Sequence, residues 1–105
     1  MQLETAVEAA KRRKQIFSHL SENLKGIRDA VLKLDKDARF YLFGSVPAGN
    51  SILSSDIDIL IITDLPVEIV ISNLWKSGFS DPFEFHVRSQ DNFVMYKNVE
   101  NLTSF

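Results

Sequence analysis

From Leu3 to Leu34 apolar side chains recur every seven residues on two tracks: Leu3, Ala10, Phe17, Leu24, Val31, and Ala6, Leu20, Ile27, Leu34, with Arg13 the only interruption. Such a stripe specifies helix with one apolar face. A single straight helix over that span would be about 48 Å long at 1.5 Å per residue, whereas a domain of this size has a radius of gyration near 13 Å. The stripe is too long for its own domain, which leaves two arrangements. In one it breaks near Ser18 to Ser21, where Ser21 can open a second helix, and the first helix folds back over the domain. In the other its first turns project, and the strip formed by Leu3, Ala6, Ala10 and Phe17 is covered by a second chain, most simply in a homodimer. The basic run Lys11-Arg12-Arg13-Lys14 reads as a solvated helix face, Arg13 laying its stem across the stripe. A patch for RNA or triphosphate is the rival reading of that run.

Beyond the stripe the chain alternates short strands and helices. Asp35-Lys36-Asp37 is a turn, Arg39-Phe40-Tyr41-Leu42-Phe43 a buried aromatic strand bounded by Gly44, and Asp56-Ile57-Asp58-Ile59-Leu60-Ile61-Ile62 a second strand. Thr63-Asp64-Leu65-Pro66 carries stop and start signals for a helix over Val67 to Lys76 closed by Gly78. A third strand is expected at Pro82 to Val87, followed by a short helix capped by Ser89 and running to about Lys97. The polar tail from Asn98 to Phe105 is expected to fray. This order predicts an α/β (α+β) domain, a small mixed sheet flanked by helices, with a helical segment over 1–35 and a core over 38–97.

Composition narrows the chemistry. The chain has 105 residues, no cysteine and two histidines, which excludes a disulfide framework, a thiol nucleophile, a thiolate zinc site and a histidine-built metal centre. A metal here would sit on oxygen ligands. Twelve basic against fourteen acidic side chains argue against non-specific grip on nucleic acid. No apolar run is long enough to span a bilayer, and Met1-Gln2-Leu3-Glu4 lacks the order of a signal peptide, so a cytoplasmic protein is expected.

The informative segment is GSVPAGNSILSSDID, residues 44–58. Strand alternation puts Asp56 and Asp58 on one side of their strand and Ile57, Ile59 and Ile61 on the other. Two carboxylates at roughly 7 Å favour a cation between them, and hard oxygen ligands select Mg²⁺ or Mn²⁺. The same alternation sets Pro82, Glu84 and His86 against Phe83, Phe85 and Val87, so Glu84 becomes a third carboxylate if the two strands are neighbours. His86 shares that facing and reads either as a substrate contact or as packing at the site rim. Gly44 and Ser45 end the first strand where free backbone N–H groups and a hydroxyl can meet an anion, Pro47 fits the first turn of a short helix there, and Gly49 lets the chain reverse. His19 and Trp75 are assigned to packing. Tyr96 is assigned to core filling, with an interface or acceptor role as its alternative.

Gly-Ser, ten residues, then Asp-x-Asp, with an aromatic strand before and an aliphatic strand through it, resembles the signature of the nucleotidyltransferase superfamily that contains DNA polymerase beta. At this length the chain is similar to the minimal nucleotidyltransferases of bacteria and archaea, which are often paired with a HEPN-domain protein as toxin and antitoxin. The resemblance covers roughly residues 38–97. It implies binding of a nucleoside triphosphate such as ATP through Gly44 and Ser45, with Asp56 and Asp58 holding two divalent cations and Glu84 supplying the third carboxylate. It further implies transfer of a nucleoside monophosphate, AMP being the best guess, to an acceptor hydroxyl, here a tyrosine of a HEPN partner. Many family members have a basic residue where this chain has Ala48, and an acidic residue is frequent at the position of Asn50. Ala48 suits the alternative of a partner subunit that acts by binding alone.

Overall fold

In the computed structural model, which describes residues 4–44, 56–96 and 102–105, the N-terminal stripe is broken in two. Helix α1 spans Ala6–Ser18 and α2 spans Leu20–Leu32, and His19 between them departs from helical geometry at φ −118°, ψ 35°. Ser18 Oγ donates back to Lys14 O at 2.7 Å, a contact that bends helices, and His19 O accepts both the backbone and the side-chain amide of Asn23 at 3.0 and 2.9 Å. Thr5 caps α1, accepting the Glu8 N–H at 3.1 Å, whereas α2 opens at Leu20 with no side-chain cap, so Ser21 does not start it. Ile16, Phe17, Leu20 and Leu24 rest against the core that Ile27 and Val31 enter fully. Phe17 is therefore spent within its own domain, and the projecting 48 Å helix does not form.

The basic run also departs from its expected role. Arg12 Nη1 and Nη2 donate to Asp81 O and Oδ2 at 2.7 and 3.0 Å, Arg12 Nε donates to Glu4 Oε1 at 2.8 Å, and Arg13 Nη2 donates to Asp81 Oδ1 at 2.8 Å. Two arginines thus clamp α1 to the loop after α3, while Lys11 and Lys14 stay exposed. Burial pushes the Asp81 carboxyl up, but the hydrogen bonds and charges of Arg12 and Arg13 outweigh it and hold the group below the ordinary carboxylate value. A depressed folded-state pKa stabilises above the unfolded value and is lost as pH falls through the folded one. The clamp is half-exposed and is worth about 1 kcal/mol at most. Amide exchange in α1 is expected to speed up severalfold below about pH 4 relative to the sheet, and Asp81→Asn to reproduce that loss at neutral pH. Equal protection of α1 in both proteins at both pH values would contradict the clamp.

Four strands form one mixed sheet in the order β3-β2-β1-β4: β1 Arg39–Phe43, β2 Ile57–Ile62, β3 Phe83–Arg88 and β4 Thr103–Ser104. Pairing is parallel between β2 and β3 and antiparallel on both sides of β1. One face carries Phe40, Leu42, Ile57, Ile59, Ile61, Phe83 and Val87 into a core with Ile27 and Val31 of α2 and Val70 and Leu74 of α3, which spans Val67–Lys76. Helix α3 stops as its glycine requires: Gly78 sits at φ 93°, its N–H bonds to Trp75 O at 3.0 Å, and the Phe79 N–H bonds to Leu74 O at 2.9 Å. The Asp35 turn is tied to the end of β2, accepting the Asp37 N–H at 3.0 Å and the Thr63 hydroxyl at 2.6 Å. After β3 come a short helix α4, Gln90–Phe93, and a 3₁₀ turn, Val94–Tyr96; Ser89 offers α4 its backbone carbonyl but no side-chain cap.

Three smaller expectations fail. The tail does not fray where it is described: Thr103 and Ser104 pair with Leu42 and Tyr41, the Phe105 N–H bonds to Phe40 O at 3.0 Å, and the two phenyl rings lie 5.8 Å apart. The open edge of β1 and an apolar terminal ring supply what the polar tail lacks on its own. Trp75 is 63% exposed rather than packed. His19 is also exposed, its Nδ1 3.8 Å from Glu22 Oε2. Among the described residues no helix is long and apolar enough to cross a membrane.

Candidate active site

Strand register decides which side chains share the second face of the sheet. Asp58 pairs with Glu84 and Leu60 with His86 across the parallel ladder, and Phe43 pairs with Asp58 across the antiparallel one. Paired residues face the same way and successive ones alternate, so Phe43, Asp58, Glu84 and His86 stand opposite the isoleucine core. Further along β2 that face closes over, with Leu60 and Ile62 fully buried and Tyr41, the partner of Leu60, stacked on Phe93 at 5.1 Å. The polar groups occupy the end left open.

Asp58, Glu84 and His86 each bring one ligand atom within 4.8 Å of the others. His86 Nε2 lies 3.4 Å from Asp58 Oδ1 and 3.7 Å from Glu84 Oε1. The imidazole is held edge-on to Phe43, ring centroids 5.0 Å apart, and like Asp58 it is about one quarter exposed. Two carboxylates facing one small space repel one another when both are ionised, and a divalent cation relieves that repulsion. The donor set therefore fits a cation.

Gly44 ties the turn after β1 to this cluster. Its φ is +82°, a left-handed conformation that glycine alone adopts without strain, and a Cβ there would lie 2.5 Å from Asp58 Oδ2. The backbone thus passes directly over a carboxylate, close enough for a ligand held by Asp58 to touch the turn as well.

The expected residues divide as follows. Gly44, Asp58 and Glu84 come together. Asp56 is exposed, lies one residue before the first paired residue of β2 and is not one of the three converging groups. Ser45, Pro47, Ala48, Gly49 and Asn50 fall outside the described residues. His86 stands closer to the carboxylates than a rim-packing role suggests, and the signal for it was present, since it follows Glu84 by two positions on the same strand. Tyr96 is not core filling: it is half-buried, and its hydroxyl accepts from Arg88 Nε at 3.0 Å.

This arrangement has relatives. A crystal structure of a candidate nucleotidyltransferase superposes with a TM-score of 0.55 at 28% identity, covering 79% of this chain and 97% of that one. A second candidate nucleotidyltransferase, from Sulfolobus solfataricus, matches in fold with a TM-score of 0.51 at 19% identity, over 99% of this chain and 88% of that one. No curated protein matches the chain. The nucleotidyltransferase domain family matches residues 24–104, a span that takes in α2 from Leu24 onward, the whole sheet, Gly44 and all three converging side chains. The chain belongs to the nucleotidyltransferase domain family.

Proposed function

We propose that the protein is a divalent-cation-dependent nucleotidyltransferase that moves AMP from ATP to an acceptor hydroxyl and releases pyrophosphate. The convergence of Asp58 and Glu84 beneath the Gly44 turn carries this reading. The new bond joins the acceptor oxygen to the α-phosphorus, the bond from that phosphorus to the β-phosphate bridge breaks, and the hydroxyl proton leaves to solvent. Asp58 and Glu84 hold Mg²⁺ or Mn²⁺, with Asp56 joining from the start of the strand. A cation bound there supplies charge neutralisation and a lowered hydroxyl pKa. Gly44, having no Cβ, lets the phosphates approach Asp58, and Ser45 orients their β/γ end.

The acceptor in this proposal is a tyrosine of a HEPN-domain partner in the cytoplasm, which makes the protein an antitoxin. Helix α1 offers a docking surface, because Ala6, Val7 and Ala10 line a shallow apolar groove of about 370 Å³ with Lys11 and Lys14, and Val7 is 64% exposed. A second copy of the chain is the other occupant we propose for it. That groove, together with Ala48, favours the second reading, a subunit that neutralises its partner by binding alone.

Thermal melts test whether triphosphate and cation bind at Asp58, as the first reading requires. A nucleoside triphosphate with Mg²⁺ or Mn²⁺ is expected to raise the Tm of the wild type by several degrees at saturating ligand, and to raise that of Asp58→Asn much less. Equal shifts in both proteins would place binding elsewhere.

A further inference from the structure

We infer that His86 is a direct ligand of the cation held by Asp58 and Glu84, which makes the centre a mixed nitrogen and oxygen site selecting a first-row transition ion over Mg²⁺. The inference rests on the proposal that a cation binds between those carboxylates, and it goes beyond that proposal in the ligand set and in the metal it favours.

Spacing is the first argument. A direct N–H to carboxylate hydrogen bond is shortest near 2.7 to 2.9 Å, yet His86 Nε2 stands 3.4 Å from Asp58 Oδ1 and 3.7 Å from Glu84 Oε1. Two donors at about 2.1 Å from one ion, subtending 90° to 120°, lie roughly 3.0 to 3.6 Å apart. The Asp58 separation falls within that range and the Glu84 separation lies 0.1 Å beyond it, whereas both are longer than a direct charge-assisted hydrogen bond. Orientation is the second argument. Phe43 braces the ring edge-on at 5.0 Å, and Asp58, the register partner of Phe43, lies beside it, so Nε2 points into the space that both carboxylates face. The third argument is ligand chemistry. Carboxylates alone suit Mg²⁺, whereas one imidazole nitrogen adds affinity for Mn²⁺ and the later first-row ions and almost none for Mg²⁺.

The test uses the intact chain and Mn²⁺ as its probe. Electron spin echo envelope modulation of Mn²⁺ bound to wild type is expected to show coupling to a directly bound nitrogen, shifted when the histidines carry ¹⁵N. Calorimetric titration is expected to give Mn²⁺ at least about tenfold tighter binding than Mg²⁺, and His86→Gln, checked for folding by circular dichroism, to reduce that ratio severalfold with little change for Mg²⁺. Bound Mn²⁺ without nitrogen coupling, or an unchanged ratio in His86→Gln, overturns the role of His86 and leaves the carboxylate site standing. If wild type binds neither ion, both the inference and the cation-dependent reading of the function fail. Nitrogen coupling in a protein that transfers no nucleotide overturns the function alone.

Discussion

Replacing Gly44 by alanine is expected to destabilise the protein and, separately, to strip it of cation binding. The two losses have different causes. Residue 44 sits at φ +82°, and forcing an L side chain into that region costs about 1–2 kcal/mol, or roughly 5–10 °C in Tm for a domain of this size. The new Cβ would also lie 2.5 Å from Asp58 Oδ2, so the carboxylate must rotate away from Glu84 and His86. Gly78 supplies the control, since its φ is +93° with nothing within 4 Å of a built Cβ. Gly78→Ala is expected to lower Tm by a similar amount and to keep its affinity for Mn²⁺. Thermal melts and calorimetry on both variants check this, and loss of cation binding in both, or in neither, would break the link between the turn and Asp58.

Asp58→Asn is expected to have the largest effect on activity. The substitution keeps the shape of the side chain and removes one charge from a site built to hold a cation, so nucleotide transfer is expected to fall by at least about 10²- to 10³-fold. Stability without cation is expected to hold or rise slightly, because the change removes repulsion between Asp58 and Glu84. That opposition between stability and activity separates a lost ligand from a damaged fold. Saturating Mn²⁺ and triphosphate would restore little of the rate.

The parts of this molecule that sequence patterns reveal are those set by local rules. Alternation and bounding glycines locate β1, β2, α3 and β3, Gly78 marking where α3 stops. Alternation also predicts that Glu84 and His86 face the same way. Their approach to Asp58 depends on β2 and β3 being neighbours, which follows from the assembled sheet rather than from either strand. The break at His19 falls in the Ser18 to Ser21 stretch where the sequence allows one, but neither glycine nor proline marks it, so the pattern alone leaves the projecting helix open as well; two polar side chains that bond back to the backbone decide between them. The clamp on Asp81 joins residues 68 and 69 positions apart, so Arg12 and Arg13 look like a solvated run until the fold closes. Strand β4 is only two residues, Thr103 and Ser104, too short for an alternating pattern to show, and the edge of β1 together with Phe105 gives them their place.

In the proposed function, Asp58 and its neighbours support transfer of a nucleotide rather than binding alone. The most direct test of that transfer incubates the protein with triphosphate labelled at the α-phosphate, a divalent cation and the proposed HEPN-domain partner, following both label on the partner and pyrophosphate release. Label on a partner tyrosine with stoichiometric pyrophosphate is expected with wild type, and neither with Asp58→Asn although the two chains still associate. A stable complex in which wild type releases no pyrophosphate and transfers no label, or transfer that persists unchanged in Asp58→Asn, would contradict the proposed function.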